Sequence, residues 1–434
     1  MTVQVMSADL PRSGFFGIAP ESTEENGEVV IQRIVPSSTA SQLGLKVGDK
    51  LVKVNDLKIN SFSNVLTVVQ ENAAGSTLKV SVIRDGEPQI LSGKMLARPK
   101  ETSDIARVKY GVVEHGKDRL RSIIHTPLSI EEDEAAPTIF FIQGYTCSSI
   151  DYGMMPNVTT LQLVNQFVEA GYQVFRMEKP GIGDSQSVKG CADISFEEEN
   201  NAFLSGLRML KQHKAVDKDR IYIWGHSLGM LHAGVLGNKE KVAGVIGYGG
   251  VYKNWYDYML DIYQVQSVKH FGVSPEQAKN NVELITPFLN LLLNTNTPWN
   301  DIVDNSDTKR AIEAGLVTVD GDRYFTRHYS FFRSLNGYNF SELWQNISAP
   351  VLMIYGSLDI QAIEPSWTEQ VVNVNKNNKS LALVLEGAEH AFMRYKNQQE
   401  YQSARESGAF NPIEPNGKFD ERIGNKTIEW LAKL

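Results

Sequence analysis

The sequence predicts an α/β chain in two parts: a small β-rich unit, then a mostly parallel, doubly wound sheet interrupted by a helical insertion. Three observations carry this. Residues 14 to 97 hold short strands rich in Val and Ile, separated by turn residues. From residue 107 onward, continuous apolar runs alternate with helical stretches, the pattern of strands covered on both faces. Between 251 and 346 the strands stop, and 16 of the chain's 40 aromatics fall in those 96 residues.

Length and composition set the bounds. The 434 residues are too many for one ordinary core. With 42% hydrophobic and 22% charged residues, the composition is that of a globular protein. A net charge of -8 and the lack of a long basic run argue against a nucleic-acid partner. No membrane span is expected, because the most apolar window, LITPFLNLLLNTNTPW, is short and broken by Pro and Asn. MTVQVMSADLPRSGFF shows no charged region leading into an apolar one, so no signal peptide is expected. The two cysteines are too few for a disulfide framework, and no His/Cys spacing suggests zinc or another metal. Reduced thiols and a cytoplasmic location are the expectation, and no cofactor is called for.

Residues 1–13 read as a tail and 14–97 as the β-rich unit. In that unit GFFGIA, EVVIQRIV, KLVKVN and TLKVSVIR are strands. Leu78, Val80 and Val82 alternate with polar neighbours, as a half-buried strand requires. Asp85-Gly86 predicts a hairpin turn. SFSNVLTVVQENAAG predicts a helix, with a serine to cap it and Gly75 after it. In SQLGLKVGDKLVKVN, Gly44 and the Val47-Gly48-Asp49 turn read as scaffolding. The polar stretch 98–106 reads as a linker, 107–250 and 347–434 as the α/β core, and 251–346 as an aromatic-rich helical lid, or equally a satellite bundle with its own aromatic core.

The chemistry is concentrated in RIYIWGHSLGM. An apolar strand runs into Gly225-His226-Ser227-Leu228-Gly229 and a helix follows at once. That turn forces a strained backbone on the serine and lifts its hydroxyl above the sheet edge, beside a helix N-terminus. A serine needs a base, and the base needs an orienting carboxylate. PVLMIYGSLD places Asp359 just past the next core strand, and GAEHAF places His390 in the loop after the strand beyond it. The order Ser227, Asp359, His390 is the one this architecture demands. Glu386 and Glu389 are too close to His390 to orient it, and His226 is expected to point away from Ser227 as packing. The oxyanion donors expected are the backbone amides of Leu228 and of Tyr145, with Thr146 next, in the loop IQGYTCSS. Cys147 in that loop reads as a small packing residue. EKPGIGDSQS reads as a structural turn, too short to cradle a phosphate, and Glu197 to Glu199 as the acidic first turn of a helix.

With these motifs in view, residues 107 to 434 resemble an α/β-hydrolase: GHSLG as nucleophile elbow, GSLD and GAEH as acid and histidine loops, QGYT at the oxyanion position. Gln143-Gly144 stands where the family usually has His-Gly, and Met230 where many members have another glycine, which weakens transfer of a substrate class. Residues 14 to 97 resemble a PDZ domain of the bacterial HtrA type, on LGLKVGDKLVKVN and GFFG. The resemblance implies that Phe15, Phe16 and Gly17 form the loop receiving a peptide's C-terminal carboxylate, with the helix over 61–73 lining the groove.

The activity expected is hydrolysis of a carboxylic ester or thioester with an apolar or aromatic acyl group. A prolyl-type peptidase comes second, and C–C hydrolases, lyases and an idle PDZ scaffold share the same fold. A further possibility is that the PDZ unit controls access to the site and binds no outside peptide.

Overall fold

The computed structural model describes residues 9–20 and 27–434. Of the expected tail, 1–13, residues 1–8 lie outside the described residues, and with them the start of the stretch read for a signal peptide. Residues 9–13 are not a free tail, since Leu10 is buried and Arg12 Nη2 donates to Arg98 O (2.9 Å). Two compact units divide after Thr102, with Ser103–Leu434 forming the second.

The first unit is an antiparallel sheet of β1 (Ile18–Pro20), β2 (Val29–Ile34), β3 (Lys50–Val54), β4 (Leu57–Lys58), β5 (Thr77–Arg84) and β6 (Glu87–Lys94). It carries two helices, α1 (Thr39–Gln42) and α2 (Phe62–Glu71). The order is β1-β2-β3-β5-β6, with β4 on β3, so β1 is an edge strand. Leu78, Val80 and Val82 point into the core with Phe16, Leu51 and Val65. Asp85 and Gly86 both have positive φ, 52° and 83°, the requirement of the tight turn joining β5 to β6. Asp49 is buried and accepts from Lys46 N (2.8 Å) and from Arg84 Nε and Nη2 (2.7 Å each). The Val-Gly-Asp turn is therefore pinned by a charge-assisted fork. One detail differs from expectation. Ser61 stands at the start of α2, but its hydroxyl bonds Ser63 and Asn64 side chains and caps no amide. The helix also ends at Glu71, and Gly75 serves the turn into β5 instead.

The second unit is built on an eight-stranded sheet: β7 (Ala106–His115), β8 (Asp118–Pro127), β9 (Ala136–Ile142), β10 (Gln173–Met177), β11 (Val216–His226), β12 (Gly244–Tyr248), β16 (Val351–Gly356) and β17 (Leu381–Leu385). Its order is β7-β8-β10-β9-β11-β12-β16-β17, and only β8 runs against the rest. That order, with an antiparallel second strand, is the α/β-hydrolase topology. Helices α3 (Thr159–Glu169), α4 (Phe196–Gln212), α5 (Gly229–Lys239) and, later in the chain, α13 (Ser366–Asn375), α14 (Gln398–Glu406) and α15 (Arg422–Leu431) surround the sheet. The apolar faces of β9, β11, β12 and β16 fill two cores, one on each side of the sheet.

Between β12 and β16 the chain leaves the sheet. It forms α6 (Trp255–Asp261), a π-helical turn (Ile262–Gln266), α7 (Ser267–Phe271), α8 (Pro275–Asn294), α9 (Trp299–Asp304), α10 (Ser306–Glu313), α11 (Tyr329–Asn336) and α12 (Phe340–Gln345). A small antiparallel sheet of β13 (Val319–Asp320), β14 (Arg323–Tyr324) and β15 (Arg327–His328) lies within it. Its aromatics divide between two tasks. Phe288, Trp299 and Tyr324 are buried in the packing of this segment, whereas Trp255, Tyr258, Phe325 and Phe332 face a cavity above Ser227. Among the described residues no helix is long and apolar enough to cross a membrane.

Candidate active site

The turn from β11 into α5 is as tight as its sequence requires. Ser227 has φ +56°, a left-handed conformation that a side-chain-bearing residue adopts at a cost. A Cβ on Gly225 would stand 2.3 Å from Gly229 O, and one on Gly229 would stand 2.3 Å from Ile142 O. Neither position can hold a larger residue while the strand meets the helix here.

Asp359 follows β16 and is buried. Its Oδ1 accepts from the amides of Gln361 (2.8 Å) and Ala362 (3.0 Å), and its Oδ2 accepts from His390 Nδ1 at 2.8 Å. The backbone bonds fix the carboxylate so that one oxygen is left for the imidazole. Burial works against the charged form of His390, but the Asp359 charge and hydrogen bond outweigh it and raise the pKa above its ordinary value. The two groups meet only because residue 249 lacks a side chain. Gly249 has φ +64°, and a Cβ there would lie 2.7 Å from Asp359 Oδ2 and 2.9 Å from His390 Nδ1.

Ser227, His390, Leu228, Tyr145 and Thr146 line one cavity of about 470 Å³. The Ser227 hydroxyl makes no hydrogen bond among the described residues, and neither do the amides of Leu228, Tyr145 and Thr146. A Cβ on Gly144 would sit 2.9 Å from Ser227 Cβ, so the loop carrying Tyr145 and Thr146 abuts the serine. Most of the remaining wall is apolar, from Trp255, Tyr258, Met259, Ile262, Phe325 and Phe332, with Gln361 and His226 as its polar side chains. No Lys, Arg, Asp or Glu side chain lines it.

Three sequence expectations are corrected here. His226 does not point away from the site: it lines the cavity, and its Nε2–H donates to His390 O at 2.9 Å. Burial, aided by the nearby His390 charge, pushes its pKa down to about 3, so it stays a neutral donor that tethers the His390 loop. Cys147 is not a lone packing residue, because it forms a disulfide with Cys191. EKPGIGDSQS is more than a turn: Glu178 accepts from Ser149 Oγ and from Ile150 N (3.0 Å), and Lys179 Nζ donates to Gly144 O (2.5 Å).

Behind the loop lies a buried ionic cluster that the sequence concealed. Glu199 pairs with Lys179 (2.7 Å), His232 (3.0 Å) and Arg327, all without solvent exposure. Burial favours the neutral form of Glu199, yet the Lys179 and Arg327 charges prevail and hold its carboxyl well below the usual range. Burial pushes Lys179 down to about 8 against the pull of Glu199. The expected acidic first turn is still present, since Ser195 and Glu198 form a reciprocal capping box. Glu389, set aside as an orienting acid, accepts from the Ala391 and Met393 amides (2.9 and 2.8 Å) and does not touch the His390 ring. Its burial pushes its pKa up to about 7.

In the first unit the Phe15 N–H is engaged by Leu96 O (2.8 Å), which narrows the expected carboxylate loop to the amides of Phe16 and Gly17. These two have no hydrogen-bond partner among the described residues, while the carbonyls of Phe15, Phe16 and Gly17 accept from Thr39, Ala40 and Val35.

Comparison with known proteins gives four matches. The PDZ domain family matches residues 14–94, and those residues form a PDZ domain. A Bacillus subtilis protein described as an uncharacterized peptidase, YtmA, is 32% identical over 132 residues, 28% of this chain and 48% of that protein. A probable periplasmic serine protease of the do/HhoA-like type from Haemophilus influenzae is 30% identical over 67 residues, 15% of this chain and 14% of that protein. The chain thus spans about half or less of these curated relatives. Among solved structures, the Butyrivibrio proteoclasticus protein Est1E with ferulic acid bound is 15% identical, with a TM-score of 0.43, over 70% of this chain and 98% of that one.

Proposed function

We propose that the second unit is a serine hydrolase that cleaves a carboxylic ester or thioester carrying an apolar or aromatic acyl group. The observation that carries the reading is the 2.8 Å Asp359–His390 hydrogen bond facing the same cavity as a serine held at φ +56°. Ser227 Oγ attacks the acyl carbon while His390 Nε2 takes its proton. Asp359 orients the imidazole and stabilises the imidazolium. The Leu228 and Tyr145 amides, with Thr146 beside them, receive the developing oxyanion. His390 then passes the proton to the leaving oxygen or sulfur, and water, activated in the same way, releases the acid.

The acyl group lies against Trp255, Tyr258, Met259, Ile262, Phe325 and Phe332, and the segment 251–346 acts as a lid over it. A wall without charged side chains has nothing to pair with a substrate ammonium or carboxylate, which favours a neutral acyl group. Peptide hydrolysis is the second reading, favoured by the match to the Bacillus peptidase and by a PDZ domain that presents chain ends. In that domain β1 offers its free edge to a C-terminal peptide, and the Phe16 and Gly17 amides receive the carboxylate. A disulfide persists where the surroundings oxidise thiols, so the cysteines support an oxidising compartment over the expected cytoplasm.

Turnover of p-nitrophenyl esters, acyl thioesters and aminoacyl amides by the purified protein tests the bond class. The expected order is ester and thioester well above amide. Amide turnover exceeding ester turnover overturns it in favour of the peptidase.

A further inference from the structure

We propose that Arg327 is a positioning residue for the oxyanion hole, an assignment that rests on the serine hydrolase reading above. Arg327 lies on β15, in the insertion, and is fully buried. Its Nη1 donates to Tyr145 O (3.0 Å) and to both sulfurs of the disulfide, Cys147 Sγ (3.2 Å) and Cys191 Sγ (3.0 Å). Its Nη2 pairs with Glu199, which in turn holds Lys179, whose Nζ reaches Gly144 O at 2.5 Å.

The two carbonyls gripped in this way belong to consecutive peptide units. Gly144 O shares its unit with the Tyr145 N–H, and Tyr145 O shares its unit with the Thr146 N–H. Every peptide bond described is trans, so each N–H points opposite its own carbonyl. A cation that fixes the carbonyl therefore fixes the direction of the N–H on the far side. It also polarises the unit and makes that N–H a stronger donor. These are the two expected oxyanion donors from this loop, and both are without a protein partner. Without the clamp, the backbone of residues 144 to 147 keeps the disulfide and the Glu178 contacts further along, and the Tyr145 side chain keeps its bond from Thr326 and its packing on Phe331 and Phe332, but none of these grips the two carbonyls.

A planar fork suits this task and a single ammonium does not. Arg327 serves Glu199 with one nitrogen and Tyr145 O with the other. In R327K the ammonium keeps its charge opposite Glu199 and releases the Tyr145 carbonyl.

The test compares an oxoester with its thionoester, in which sulfur replaces the carbonyl oxygen. Sulfur is a weak hydrogen-bond acceptor, so the oxoester draws far more from the oxyanion donors. In R327K the oxoester kcat is expected to fall about a hundredfold with KM little changed, while the thionoester rate falls much less. The oxo/thiono ratio then collapses toward unity, which a general loosening of structure does not produce. Should R327K fail to fold, E199Q/R327M, which removes the pair together, is read the same way. An unchanged ratio in a folded variant overturns the assignment. Ser227→Ala separates the two claims: if it still turns over ester, the hydrolase reading itself fails. If it is inert and R327K keeps the ratio, only the role of Arg327 fails.

Discussion

At the residue scale, the account turns on which groups carry protons near neutrality. His390 must be neutral to accept the Ser227 proton, and Asp359 holds its pKa above 6.5 against burial. Ester turnover is therefore expected to rise with pH, with a half-point above 6.5. His226, held near 3, adds nothing in that range, whereas Glu389, near 7, titrates within it. Asp359→Asn removes the larger raising influence and leaves burial opposed only by the Glu389 charge, so the half-point moves to lower pH. The same change misorients the ring and lowers kcat by roughly three to four orders of magnitude. A pH–rate profile of the variant and of Glu389→Gln decides the matter: a half-point unmoved in Asp359→Asn but shifted in Glu389→Gln assigns the limb to Glu389. Gly249 belongs to this scale as well. Its need shows only when Asp359 and His390 are in place, since nothing local in VIGYGG announces a clash with residues more than a hundred positions away.

At the scale of elements, the tight turn from β11 into α5 and the two loops after β16 and β17 were legible because each is signalled within about ten residues. An apolar strand followed by Gly-x-Ser-x-Gly and a helix carries its own geometry, as does a strand ending in Gly-Ser-Leu-Asp. The loop carrying Tyr145 and Thr146 lines the same cavity as Ser227, but its supports were hidden. Lys179, Glu199 and Arg327 come from three separate segments, and Cys147 meets Cys191 across 44 residues of chain. No periodicity or turn signal links them. In the PDZ domain the turn at Gly48 owes its form to Asp49, whose pKa is lowered because the Arg84 and Lys46 contacts overcome the raising effect of burial. Stability from this group is present above its unfolded value of 3.8 and is lost as pH falls through the depressed folded value. Asp49→Ala is expected to cost this unit about 2 kcal/mol, read from hydrogen exchange of the β5 amides at neutral pH. Protection equal to the parent's contradicts that role.

At the scale of the whole molecule, the arrangement is a PDZ domain followed by an α/β-hydrolase unit, and the sequence showed both through short, dense motifs. The division of labour inside the insertion was less visible. An aromatic count cannot tell residues that fill a bundle's own core, such as Trp299, from those that face a cavity, such as Trp255, because both are rings at helical spacing. The central claim is that Ser227 is the nucleophile of this molecule. The most direct measurement is covalent labelling of the intact protein by a fluorophosphonate, followed by mass mapping of the modified peptide. The account predicts one phosphonyl group, on Ser227, with labelling lost in Ser227→Ala. Labelling that persists in Ser227→Ala, or maps to another residue, contradicts it.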